Sequence, residues 1–175
     1  MDKYIWLFPV IFIFHDMEEV IGIENWLHEN YSTIVRRFPP ADRILKAYSG
    51  VTTAGFALAV YEELLVLIGV SLLADLTECR FILGLWFGGL IGFTIHLVIH
   101  LAQAVYIRRY IPALITSIIA LPPGILLIWK SYPMIRINAM SAIGIICGVI
   151  GLAVNLKFAH RLMRKLRKDN KVNPK

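Results

Sequence analysis

The chain has 175 residues, of which 58% are hydrophobic and 17% charged, with a net charge of +6. A soluble domain of this length sits near half apolar and about a quarter charged, so the composition excludes an ordinary globular domain and points to a single membrane domain. Two cysteines, Cys79 and Cys147, form neither a ligand pair nor a disulfide framework and say nothing about redox compartment.

Five apolar stretches follow one another, at residues 4–27, 47–73, 81–107, 111–129 and 139–156. Each reaches or approaches the roughly 20 residues that a spanning helix needs. Helices are expected because lipid offers the backbone no hydrogen-bond partner and the runs are continuous, not alternating. The first stretch opens with Asp2 and Lys3, lacks a small-x-small cleavage site and runs straight into His15 and Glu18. It reads as a retained helix, not a signal peptide. Residues 28–46 form a basic segment containing Phe38-Pro39-Pro40. In the third stretch, Gly84, Gly88, Gly89 and Gly92 are spaced to let neighbouring backbones approach, which makes that helix the expected centre of the bundle. Pro122, Pro123 and Gly124 are expected to kink the fourth. The basic tail from Lys157 onward is expected to be a juxtamembrane helix that frays, with residues 161–175 as a cytoplasmic tail after one helical domain over 1–160. An all-α integral membrane bundle of about five transmembrane helices is the expected fold.

If the N-terminus faces outward, 14 of the 18 lysines and arginines fall on the inner side, leaving Lys3, Arg80, Lys130 and Arg136 outside. That asymmetry predicts the N-terminus out and the C-terminus in the cytoplasm, with a prokaryotic plasma membrane as the expected location. The basic segments are expected to set topology and touch anionic lipid headgroups. No aromatic interleaving or binding motif accompanies them, so nucleic acid is not an expected partner. Trp6, Trp26, Trp86 and Trp129 lie near span ends and read as interfacial aromatics. His28 and His160 fall at boundaries and are expected to be solvated.

The chemistry lies inside the spans. His15, Glu18 and Glu19 fall within about one turn on one face of the first helix, with Asp16 off that face. The second helix brings Glu62 and Glu63, and the third brings His96 and His100, stacked at i, i+4 with Gln103 continuing the face. Counting from span midpoints near residues 15, 60 and 94 puts all of them within about 10 Å of the midplane. Four ionised, unpaired glutamates at that depth would cost on the order of 10 kcal/mol. No lysine or arginine lies in any span beyond its terminal turns. The compensating charge must be protons or a bound cation. Three accompanying imidazoles favour a cation, because histidine and carboxylate together are the ligand set of zinc, iron and manganese.

Each histidine alone is more often a hydrogen-bonded interior residue than a ligand. The pair His96/His100 is a stronger signal, although it is not HExxH because Leu97 occupies the glutamate position. His15, Glu18, Glu19, Glu62, His96 and His100 are the expected metal ligands, for one or two ions. Within each acidic pair, Glu18 and Glu62 are the first choices as ligands. Glu19 and Glu63 are the expected orienting groups or general bases.

The run His15-Asp16-Met17-Glu18-Glu19 resembles the signature of the HXXEE family of small membrane proteins. The likeness continues through Glu62-Glu63, His96…His100 and Tyr110-Ile111-Pro112-Ala113, where the family pattern would have glycine in place of Ala113. It covers roughly residues 10–125 and implies a membrane metalloenzyme with substrate and reaction unassigned. The expected function is a metal-dependent hydrolase on an apolar, lipid-like small molecule, zinc being favoured by the three imidazoles. An activated water would attack a carbonyl or phosphoryl group while Glu19 or Glu63 carries its proton. A di-iron oxidoreductase on the same ligands is the first alternative. A proton-coupled transporter is the second, although the chain has no inverted repeat and would need a homodimer. A glutamate-dependent intramembrane protease ranks below both, since Glu62-Glu63 lacks the expected following arginine.

Overall fold

The computed structural model describes residues 4–48 and 50–172, without the side chains of residues 44, 47, 160, 162 and 164–172. The expectation for His160 therefore lies outside the described side chains. Among the described residues the regular structure is all helical: α1 (Leu7–Arg37), α2 (Ala41–Tyr48), α3 (Thr53–Leu76), α4 (Arg80–Ile107), α5 (Leu114–Ile135) and α6 (Ala139–Val172). Four of these, α3 to α6, contain a stretch long and apolar enough to cross a membrane. The fifth expected span is α1, which has the length but carries Asp16, Glu18, Glu19 and Glu24. The outward faces bear Leu65, Val66, Ile118, Ile125, Ile146 and Ile150, each between 47% and 60% exposed. Such a surface would invite aggregation in water and is at ease against hydrocarbon.

The long helices close in the order α1–α3–α6–α4–α5, with α5 returning to α1. α4 also reaches α1 and α3, so it touches all four of its long neighbours, as its glycines predict. The closest approach is between α4 and α6. A methyl group added at Gly84 would run into the carbonyl oxygen of Ser141, and one at Gly88 into that of Ile145. Reciprocally, Gly144 and Gly148 of α6 face the carbonyl oxygens of Phe81 and Leu85. Two small-xxx-small pairs thus meet as a backbone-to-backbone seam. The start of α6 is held by a reciprocal cap, in which Ser141 N–H donates to Asn138 Oδ1 at 2.9 Å and Asn138 N–H to Ser141 Oγ at 2.8 Å.

Two local expectations change. The second span begins at Thr53 because Thr52 caps it, its Oγ1 accepting from Gly55 N–H at 3.1 Å. Residues 41–48 preceding it form the separate short helix α2, tied to α1 by Tyr31 Oη–H donating to Asp42 Oδ1 at 2.7 Å. Trp86 is no interfacial aromatic. It is fully buried and meets Phe8 edge-on at 6.1 Å, because its position on α4 faces the bundle interior. Trp6 and Trp129 are exposed as expected. α5 continues as helix through Pro122 and Pro123.

Candidate metal centre

Between α1 and α4 the backbones stand apart and rings fill the space. Phe8 and Phe12 of α1 lie 5.6 and 5.8 Å from Phe93 of α4, ring centre to ring centre. One turn further on, three histidines take over. His15 is 5.6 Å from His96 and 5.3 Å from His100, and the latter two are 4.3 Å apart. One ring nitrogen from each of the three lies within 4.8 Å of the others. His96 and His100 Nε2 are 2.8 Å apart, so one of the two carries no proton there and offers a lone pair. Glu19 Oε1 lies 3.4 Å from His100 Nε2.

These separations suit a shared ion. Nitrogen ligands at about 2.0–2.1 Å from a tetrahedral zinc stand roughly 3.3 Å apart, a spacing that the 2.8 Å His96–His100 pair approaches and that the group, within 4.8 Å, can reach by small side-chain shifts. His15 is fully buried, and its Nε2 has no hydrogen-bond partner among the described residues. Its other nitrogen, Nδ1, lies 3.2 Å from Thr116 Oγ1. That hydroxyl has one proton and donates it to Glu18 Oε2 at 2.7 Å. It can then only accept from His15, which puts the imidazole proton on Nδ1 and leaves the Nε2 lone pair facing the group. An orienting partner on the far nitrogen is the usual support of a ligand histidine.

The two carboxylates of the His-x-x-Glu-Glu run therefore part company. Successive residues on a helix turn by about 100°, so Glu19 lies between His15 and Asp16 around α1 while Glu18 falls on the opposite flank of His15. Glu18 faces α5 and accepts from Thr116 N–H at 2.7 Å, Ile115 N–H at 3.3 Å and Tyr110 Oη–H at 2.6 Å. An anion is well placed at these free N–H groups of a helix start, the more so because Ala113 has no side chain able to cap it. Burial, with the bond to Glu18, pushes the Tyr110 phenol up to about 12. Glu62 likewise turns from the group and accepts from Asn155 Nδ2 of α6 at 3.5 Å. Of the six expected ligands, His15, His96 and His100 come together and Glu19 lies against His100 beside that group, whereas Glu18 and Glu62 do not join them.

The group opens onto a cavity of about 400 Å³. Asp16, Glu19, Glu63, His96, His100 and Gln103 line its polar part, so Glu63 faces the same space from α3, and Asp16 faces it too. The remaining wall is mainly apolar, from Phe12, Ile23 and Phe93 near the histidines to Phe38, Leu45 and Tyr48, which roof it from α2 and its approach. Thr116 and Tyr48 were not marked by the sequence, and Tyr110 was marked only as part of the Tyr110-Ile111-Pro112-Ala113 run, without a role. The one signal for Thr116 was negative: a helix start after Ala113 lacks its own cap.

A family model described as "Protein of unknown function with HXXEE motif" matches residues 6–128, and the chain belongs to that family. No curated protein and no solved structure matches it.

Proposed function

We propose that this member of the HXXEE-motif family is a metal-dependent membrane hydrolase acting on a lipid-like substrate. The reading rests on one observation above all: three histidines converge, with Glu19 against His100, and His96, His100 and Glu19 face a mainly apolar cavity. His15, His96, His100 and Glu19 would hold a single divalent ion, zinc by preference, with iron or manganese as alternatives. When bound, such an ion supplies Lewis acidity toward a carbonyl or phosphoryl oxygen. Thr116 and Glu18 keep His15 in the tautomer that binds. Glu63 faces the same cavity without a place among the converging groups, which suits it to lift a proton from water and return it to the leaving group. The apolar wall excludes bulk water and accommodates hydrocarbon.

In this proposal α1 joins α3 to α6 in spanning the bilayer, with the N-terminus outside and the basic segments in the cytoplasm. Elemental analysis of the detergent-purified protein is expected to give about one equivalent of zinc, iron or manganese, consistent with a four-ligand site. The double variant His96→Ala/His100→Ala is expected to lose it. Metal-free protein that instead conducts a pH-dependent flux in liposomes would overturn the enzyme in favour of a transporter.

A further inference from the structure

The histidine–glutamate group does not sit at a blind end. A second cavity, of about 430 Å³, lies between α3 and α6, with Phe8 and Phe12 of α1 and Leu85, Trp86 and Gly89 of α4 also lining it. Phe12, Glu63 and Leu152 line both cavities, so the two adjoin around these residues, Glu63 being the one carboxylate among them. The rest of its wall is Val66, Leu67, Val70, Leu85 and Phe158, with Asn155 beside Glu62; Val66 and Phe158 are about half exposed, so this arm also borders the outward surface. Trp86 also lines it, fully buried, and its Nε1–H has no hydrogen-bond partner among the described residues. The first cavity extends to Phe38, Leu45 and Tyr106. Polar, proton-carrying side chains thus stand where two apolar arms join, and the outer reach of each arm is apolar.

We propose that the two cavities are the arms of one binding site, and that its substrate is a neutral lipid whose reactive carbonyl lies between two hydrocarbon chains, as in a long-chain ester or amide. The inference rests on the hydrolase reading above and narrows it. A lipid whose reactive group is its own charged head would have to bring that charge to mid-depth, at about 2.5–3.5 kcal/mol or more. An internal ester brings none, and its chains occupy apolar space on both sides. In the reaction, the oxygen of water bonds to the carbonyl carbon and the bond to the alkoxy oxygen, or to the amide nitrogen, breaks. The proton taken by Glu63 goes to the departing oxygen or nitrogen, so that an acid and an alcohol or amine leave by opposite arms.

Gly151 gives the test. It lines the second cavity, is exposed, and a Cβ there would meet nothing within 4 Å, so a larger side chain can be placed at the arm's wall without disturbing helix packing. The probe is a long dialkyl ketone carrying a diazirine at one chain end, applied to the protein in lipid nanodiscs, beside a fatty acid with the same diazirine. The ketone is expected to label both the α3–α6 wall around residues 66–70 and 151–158 and the first-arm wall around residues 38–48. A long-chain ester should compete with it. Gly151→Phe should cut labelling of the α3–α6 wall at least about tenfold, whereas Gly151→Ala should label like the parent and both should keep their metal. Equal labelling by the fatty acid, insensitive to Gly151→Phe, would mean ordinary surrounding lipid and would overturn the proposal. Labelling of the first arm alone would overturn it while leaving the hydrolase standing. Two-arm labelling of a protein that binds no metal would support the binding site and overturn the hydrolase.

Discussion

Thr116→Val keeps the backbone N–H that bonds Glu18 and a similar side-chain shape, but deletes the one proton donor between Glu18 and His15. The imidazole is then free to turn or change tautomer, and metal affinity is expected to fall 10–100-fold. Thr116→Ser restores the hydroxyl and should recover most of it. A competition titration with a zinc-binding dye measures both, and a purely structural threonine would not show rescue by serine. Ala113 is a second residue-scale test. It is fully buried with φ at 79°, a left-handed conformation that favours glycine. Ala113→Gly should therefore stabilise the protein by up to about 1 kcal/mol, read from thermal unfolding in detergent. The glycine expected here from the family resemblance would suit this left-handed backbone. The histidines were legible from residue type and spacing alone. The division of labour between Glu18 and Glu19 was not, because both flank His15 and only the position of α5 decides which one it claims.

α1 serves as more than one wall of the bundle. Glu18 closes the start of α5, and Glu24 closes the start of α3 by accepting from Thr53 N–H and Oγ1–H at 2.5 and 2.7 Å. Helix starts that lack a sufficient cap of their own thus borrow one across the fold. The glycine spacing of α4 announced a close partner, and the seam bears this out, but spacing on one helix cannot say which neighbour fills it. Gly144 and Gly148 of α6 went unread for that reason. α2 was also missed: its eight residues are amphipathic but short and polar on average, and standing just after Pro39-Pro40 they read as part of the basic segment and the start of the next apolar run. Gly148→Leu is expected to force α4 and α6 apart and cost about 3 kcal/mol or more, against near-neutrality for Gly69→Ala, whose Cβ would meet nothing within 4 Å. Unfolding in mixed micelles separates the two.

Across the whole molecule, composition and block length made the all-helical architecture readable, since a lipid-facing chain must satisfy its backbone within helices. The proposed orientation puts the α3–α4 connection outside, and Cys79 there is exposed, whereas Cys147 lies within α6. A membrane-impermeant thiol reagent should therefore label Cys79 on intact cells; labelling only after lysis would reverse the topology. The gap between α1 and α4 has a mechanical consequence. Their backbones come close at only a few points, and rings bridge the distance. An ion gripped by His15 on one side and by His96 and His100 on the other would act as a rivet through a loose joint of the barrel. Chelator should then lower the melting temperature and quicken amide exchange first along α1, and a His15→Ala protein, already unriveted, should show no further response.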